Sequence, residues 1–90
     1  MSATTANQVR VLFFASLREE TGADELSLEI TGPVSLEELL HRLEEHLTGA
    51  AMSALRAENV RLALNQTLLT GPVTISPGDE VAFLPPVTGG

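Results

Sequence analysis

The stretch PVSLEELLHRLEEHLTG, residues 33–49, has the strongest helical pattern in this chain of 90 residues. Ser35, followed three residues later by Glu38, forms a capping box, which predicts where the helix begins. Gly49 is the predicted C-terminal cap. The leucines recur at helical spacing and form one apolar stripe: Leu36, Leu39, Leu40, Leu43 and Leu47. A single apolar stripe predicts a helix that packs on one face of a sheet.

Two strands are predicted before this helix. Residues 8–14 are rich in β-formers, and the face that bears Leu12 and Phe14 becomes apolar toward the end of that strand. Residues 25–30 alternate apolar and polar side chains, which is typical of a half-buried strand. A short helical turn that ends at Gly22 connects the two strands.

Strands and turns are predicted to dominate the rest of the chain, after a second, weaker helix over residues 50–57 that turns Met52 and Leu55 inward. Asn65-Gln66 is a predicted tight turn, and Ser76-Pro77-Gly78-Asp79 has Pro and Gly at the central positions of a type II turn. The predicted strands are 60–64, 67–69 and 81–84. The expected class is α+β, with a mixed sheet of about four to five strands and one main helix on one face. We expect a leader over residues 1–8, one domain over 9–84 and an extended tail over 85–90.

Composition excludes several classes of function. Ninety residues with 43% apolar content are enough for one modest core. A formal net charge of -7 argues against nucleic acid as a partner, because Lys and Arg supply most of the affinity for phosphates. No apolar stretch is long enough to cross a membrane, and the first residues lack the pattern of a signal peptide. A cytoplasmic protein without membrane partners is expected.

Side chains suited to catalysis or metal binding are scarce. The chain has no Cys, and all five of its basic residues are arginines. His41 and His46 are five residues apart on the predicted helix, so they diverge and are expected to be solvated. We therefore expect no bound metal or cofactor and no self-contained enzyme.

The last eight residues, FLPPVTGG at 83–90, offer a different kind of chemistry. Pro85 and Pro86 favour a stiff, extended departure from the domain. Gly89 and Gly90 lack a Cβ atom, so a narrow tunnel in a partner can admit them. A C-terminal carboxylate is a poor electrophile, and its activation as an acyl adenylate requires ATP and a second enzyme. The pattern predicts a carrier that is passed between enzymes.

Three segments resemble the small subunit of molybdopterin synthase, the MoaD family: LFFASLREETG (12–22), LALNQTLL (62–69) and GDEVAFLPPVTGG (78–90). The resemblance runs from about Val9 to Gly90. It implies the ubiquitin-like β-grasp fold, which agrees with the predicted order of elements. It also implies a role for each tail residue: Gly90 bears the sulfur, Gly89 fits closely, and Pro85, Pro86, Val87 and Thr88 thread into the partner.

The resemblance further implies chemistry and partners. The final glycine is adenylated by an E1-like activating enzyme of MoeB type, with consumption of ATP, and becomes a thiocarboxylate. A large subunit of MoaE type then transfers the sulfur to precursor Z, cyclic pyranopterin monophosphate. An assembly of two copies of each chain is expected.

A partner surface is predicted from three apolar residues on the predicted strands or at their ends, Phe14, Leu68 and Leu84. We expect them to lie close together, near the departure of the tail, because clustered exposed apolar side chains mark docking sites. Alternatives stay open: a sulfur carrier for thiamine, tRNA thiolation or cysteine synthesis, a ubiquitin-like protein modifier, or an interaction domain with an inert tail.

Overall fold

A computed structural model describes residues 7–85 of the chain. These residues form three helices and seven strands. The helices are α1 (Ser16–Thr21), α2 (Leu36–Leu43) and α3 (Gly49–Leu55). The strands are β1 (Gln8–Phe13), β2 (Glu25–Glu29), β3 (Val34–Ser35), β4 (Arg61–Leu64), β5 (Thr67–Leu68), β6 (Thr74–Ile75) and β7 (Glu80–Leu84).

Five of the strands form one mixed sheet in the order β2-β1-β7-β4-β5. The two central strands, β1 and β7, run parallel, with Val11 opposite Val81 and Phe13 opposite Phe83. The other neighbouring strands in this sheet are antiparallel. The mixed sheet of five strands confirms the α+β class and the number of strands expected from the sequence.

The core lies between the helices and one face of the sheet, which we call the inner face. Alternate residues of β1 and β7 point into it, and the Phe13 and Phe83 rings stack with their centroids 5.9 Å apart. The helices cover this face with buried side chains: Leu17, Leu39, Leu40, Leu43, Met52 and Leu55. Met52 and Leu55 are buried, as predicted for the second helix.

The helix predicted between the caps Ser35 and Gly49 is shorter in the structure, and this prediction was wrong at its C-terminal end. Its start is confirmed, because the Ser35 hydroxyl accepts a hydrogen bond of 3.1 Å from the Glu38 N–H. The helix ends at Leu43, and Gly49 begins α3 instead of capping α2. The physical reason is the Thr48 hydroxyl, which accepts from the Ala51 N–H at 3.1 Å and thus supplies a new N-cap.

One arginine ties the two longer helices together. The Arg56 guanidinium, just after α3, donates to Glu37 at 3.0 Å and to Glu44 at 3.2 Å, near the two ends of α2. The hydrogen bond to Glu37 and the nearby negative charges raise the pKa of Arg56 above its ordinary value. A raised arginine pKa adds stability that is fully present near neutral pH and is lost only as the pH rises through that pKa, so it gives folding no pH dependence near neutral pH.

Both predicted turns are confirmed. Asn65 and Gln66 have φ values of 50° and 72°, which are typical of the type I′ turn of a two-residue hairpin. In the second turn the Asp79 N–H donates to the Ser76 carbonyl at 3.0 Å, and Gly78 has a φ of 95°. That positive φ is the value that position i+2 of a type II turn requires.

Three smaller features complete the description. The two-residue strands β3 and β6 pair outside the main sheet, with Val34 opposite Ile75, a contact that sequence patterning did not predict. Gln8 belongs to β1, so the predicted leader of residues 1–8 loses that residue to the domain. Within residues 7–85, no helix is both long enough and apolar enough to cross a membrane.

Candidate functional site

The face of the sheet opposite the helices, which we call the outer face, contains an apolar groove. Strand register places Leu12, Ala82, Ala63 and Leu68 in one row across four strands. The two alanines, 7% and 6% exposed, form a low floor because their side chains end at Cβ. The groove has a volume of about 270 Å³. Its lining consists of Phe14, Ala63, Gln66, Leu68, Glu80, Ala82 and Leu84.

The structure brings together the three residues predicted to form a partner surface. Phe14, Leu68 and Leu84 all line the groove, and Leu84 is the last residue of β7. Phe14 is 44% exposed and Leu68 is 54% exposed, the two large apolar side chains that stand out to solvent within residues 7–85. Large apolar side chains that cluster around a concave surface are typical of a docking site. Their role in binding a partner stays a prediction.

Sequence reasoning missed the floor of this groove. Ala63 and Ala82 come from strands that are separated by about fifteen residues of sequence, and their pairing is visible only in the register of β4 and β7. Two polar residues in the lining, Gln66 and Glu80, were also missed. The sequence could have indicated Ala82, because it lies two residues before Leu84 on the same strand and therefore shares its face.

A tight turn holds Phe14 at the rim. The Phe14 N–H donates to the Phe83 carbonyl at 3.2 Å, and the Phe14 carbonyl accepts from the Leu17 N–H at 3.0 Å. Between them Ala15 has a φ of 52° and a ψ of -127°, a conformation that residues with a Cβ atom rarely adopt. Strain of this kind costs about 1–3 kcal/mol and often accompanies functional sites. The backbone, not packing on the core, therefore determines where the Phe14 ring stands.

The other end of the groove is held by Asn65. Its side-chain oxygen accepts from the Glu80 N–H at 2.9 Å, and its side-chain nitrogen donates to an Asp79 carboxylate oxygen at 3.1 Å. The Asn65 N–H also donates to the Glu80 carbonyl at 2.8 Å. These bonds fasten the β4–β5 hairpin to β7 and so fix the positions of Gln66 and Leu68 beside the groove.

Charge on the outer face is concentrated on one side of the groove. The Arg10 guanidinium lies between Glu25 and Glu80, at 3.3 and 3.4 Å, and so bridges the three strands β2, β1 and β7. The Glu80 carboxylate that lines the groove is thus already matched by a cation. The ion-paired side chains Arg10, Glu25 and Glu80 therefore lie together on one side of the apolar groove.

No cluster of three or more His, Cys, Asp or Glu side chains is present within residues 7–85. His41 and His46 are both exposed on the helical side, away from the groove. What the groove offers is a binding surface.

The predicted tail begins where the described residues end. Pro85 follows Leu84 and is half-buried. The tail residues Pro86, Val87, Thr88, Gly89 and Gly90 lie outside the described residues. What the structure establishes is that the described residues end just after β7, the strand that lines the groove.

A helix-covered mixed sheet with parallel central strands and an apolar groove beside its last strand defines a β-grasp domain of the ubiquitin-like class. The family model described as the ThiS family matches residues 11–90. The chain therefore belongs to the ThiS family.

Comparison with curated proteins gives relatives along nearly the whole chain. The molybdopterin synthase sulfur carrier subunit of Escherichia coli (strain K12) is 41% identical over 87 residues, covering 91% of this chain and 99% of that protein. The resemblance to the MoaD family is thereby confirmed.

Solved structures agree with the fold. SAMP1 from Haloferax volcanii superposes with a TM-score of 0.74 at 20% identity and covers 92% of this chain and 99% of that one. At that identity the likeness shows the β-grasp fold alone. A chain in the complex of subunits 1 and 2 of molybdopterin-converting factor from Helicobacter pylori 26695 has a TM-score of 0.63 at 25% identity. It covers 92% of this chain and 99% of that one.

Proposed function

We propose that this protein is the sulfur-carrier small subunit of a molybdopterin synthase. The observation that supports this most strongly is a family match that extends through Gly90, in a chain whose last strand lines the exposed groove. The relative from E. coli is named as the sulfur carrier subunit of that enzyme, and this chain spans 99% of its length. The groove provides docking, and the C-terminal carboxylate provides the chemistry.

The chemistry proposed at Gly90 proceeds in three steps. The carboxylate attacks the α-phosphate of ATP on an E1-like activating enzyme of MoeB type, which forms an acyl adenylate and releases pyrophosphate. Sulfur at the oxidation level of sulfide then displaces AMP and leaves a thiocarboxylate. In the large subunit, that sulfur passes to precursor Z, cyclic pyranopterin monophosphate, and water restores the carboxylate. ATP is a substrate of the activating enzyme and not a cofactor held by this chain.

Two partners are proposed for the groove. The first is a large subunit of MoaE type, since the H. pylori relative is described as a complex of the two subunits. The second is the activating enzyme. We expect both to cover Phe14, Leu68 and Leu84, so the two partners should compete. An assembly of two copies of each chain, working in the cytoplasm without nucleic acid or membrane partners, completes the proposal.

The six residues after Leu84 are enough to deliver Gly90 into a partner that docks on the groove. Six residues from Pro85 to Gly90 span at most about 20 Å, because an extended chain advances about 3.3–3.6 Å per residue. That length separates docking at the groove from reaction at the carboxylate. A substitution in the groove should therefore weaken binding without changing the intrinsic reactivity of Gly90.

The test is to incubate the protein with ATP, the activating enzyme and a sulfur donor, and then to measure its mass. Replacement of one carboxyl oxygen by sulfur is expected for the wild type. A variant that lacks Gly90 should keep its fold and gain no sulfur, and Gly89→Ala should be intermediate because of its added Cβ atom. Conversion of precursor Z by the large subunit with the chain that lacks Gly90 would contradict the proposal.

The same experiment separates the proposed pathway from its alternatives. Wild type that carries the thiocarboxylate should convert precursor Z when only the large subunit is added. A thiocarboxylate that forms but leaves precursor Z unchanged would instead indicate a carrier for thiamine, tRNA thiolation or cysteine synthesis. Covalent attachment to lysines of other proteins would indicate a modifier.

A further inference from the structure

Arg61 lies at the end of the outer face where β7 ends. It is the first residue of β4, and it pairs across the strands with Leu84, the last residue of β7. Because paired residues share a face, Arg61 lies on the groove side of the sheet, and it is exposed. Glu80, at the other end of β7, lines the groove near the Asn65–Gln66 turn.

The two ends of the groove differ in how their charges are matched. The Glu80 carboxylate is paired with Arg10 at 3.4 Å. The other arginines away from this end, Arg18, Arg42 and Arg56, also lie within 4.0 Å of carboxylates. Within residues 7–85, Arg61 has no carboxylate at that distance, although the chain has twelve acidic residues against five basic ones. Arg61, the arginine without an ion-pair partner among these residues, therefore lies beside the C-terminal end of β7.

We infer that Arg61 binds a carboxylate of the large subunit when that subunit docks on the groove. This inference rests on the proposed function. Docking removes water from the apolar lining beside Arg61, and a guanidinium left without a partner there would lose hydration without compensation. A planar guanidinium matches a carboxylate with two parallel hydrogen bonds, which is why arginine is favoured over lysine at such positions.

The position of this pair also gives the groove a direction. An apolar groove can be covered in two senses with similar burial of area. Arg10 neutralises Glu80 at one end, whereas Arg61 leaves a positive charge at the other. A partner carboxylate at Arg61 therefore favours one of the two docking orientations. It is the orientation in which the partner's binding site for Gly90 lies near the C-terminal end of β7. Charge patterns at interface rims act in this way on orientation and association rate.

The test compares two charge reversals in association kinetics with the purified large subunit. Arg61→Glu and Arg42→Glu remove the same positive charge and add the same negative one, but Arg42 lies on α2, on the opposite side of the sheet. Both variants change the net charge equally, so the difference between their association rates reports the effect of charge at the position of Arg61. We expect Arg61→Glu to lower the association rate at least about tenfold relative to Arg42→Glu at low salt. The ratio should shrink as salt rises, because exposed charges are screened.

Three outcomes are informative. The proposed ion pair would be supported if Arg61→Ala lowers the association rate less than Arg61→Glu does, with thermal unfolding unchanged in both variants. Equal association rates for Arg61→Glu and Arg42→Glu would overturn the inference about Arg61. The proposed function would still stand in that case, provided that the wild type binds the large subunit. No binding of the wild type to the large subunit would overturn both.

Discussion

The two faces of the sheet are built from the same strands and have different properties. On the inner face, residues such as Val9 and Phe13 are at most 2% exposed, under three helices. On the outer face, Phe14 and Leu68 are 44% and 54% exposed, although they are equally apolar. Burial of the inner face stabilises the domain when it folds. The outer face leaves apolar area exposed, and a partner can bury that area on binding. Stability and function are thus divided between alternate residues of one strand.

The largest expected effect is on folding, from a substitution on the inner face. Phe83→Ala removes a ring that is stacked on Phe13 in the core, and it should lower the free energy of unfolding by about 3–5 kcal/mol. A small domain has only about 5–15 kcal/mol in total, so this loss is a large part of its stability. Urea unfolding followed by circular dichroism measures the change. The matched variant Phe14→Ala should lose about 1 kcal/mol or less, and equal losses would contradict the division between the faces.

The next effect is on binding, from the outer face. Leu68→Asp places a charge on the exposed rim of the groove, and we expect affinity for the large subunit to fall by at least about 30-fold, the effect of a hot-spot residue. Its unfolding temperature should stay close to that of the wild type, because the Leu68 side chain is exposed to solvent and is not part of the core. Calorimetric titration measures the affinity. Ala50→Asp, on the exposed side of α3, adds the same charge as a control, and an equal loss there would mean that net charge alone controls binding.

A smaller effect is expected at the hairpin beside the groove. Asn65→Gly removes the side chain that accepts from the Glu80 N–H at 2.9 Å and donates to Asp79 at 3.1 Å. The loss of these bonds should cost about 1 kcal/mol in the free energy of unfolding. Thermal unfolding is the measurement. A stability equal to the wild type would show that these hydrogen bonds merely replace equivalent bonds to water.

The smallest effect should have the opposite sign, at the adjacent residue. Gln66 has a φ of 72°, which glycine adopts without a Cβ penalty, and no side-chain hydrogen bond of Gln66 is present within the described residues. Gln66→Gly should therefore raise the free energy of unfolding by up to about 1 kcal/mol, as expected for an Asn-Gly turn of type I′. A destabilised Gln66→Gly variant would show that this side chain contributes packing beside the groove.

Much of the fold could be predicted from the sequence because its local patterns agree with its tertiary contacts. The five strands of the main sheet, the Ser35 cap and both turns follow from spacing and residue type. The end of α2 could not be predicted, since residues 44–47 continue the helical pattern of charge and leucine. The competing signal was the Thr48 hydroxyl, which caps α3 and turns Gly49 into a first helical residue.

The candidate site was predictable in part for a related reason. Phe14, Leu68 and Leu84 could be identified because each was predicted on a strand with apolar residues on both faces, of which one helix can cover only one. The alanine floor and the place of Arg61 depend on register between strands distant in sequence, which local alternation does not determine. Residues at the rim of a site are therefore easier to predict than residues at its floor.

Methyl NMR tests most directly whether the outer face docks the large subunit while the inner face holds the fold. Methyl groups of Ala63, Leu68 and Leu84 report on the outer face, and those of Val9 and Leu39 report on the inner face. On addition of the large subunit we predict large shift changes or broadening at the first three methyl-bearing residues and only small changes at the other two. Changes centred on the helices, with the groove methyls unaffected, would contradict the account.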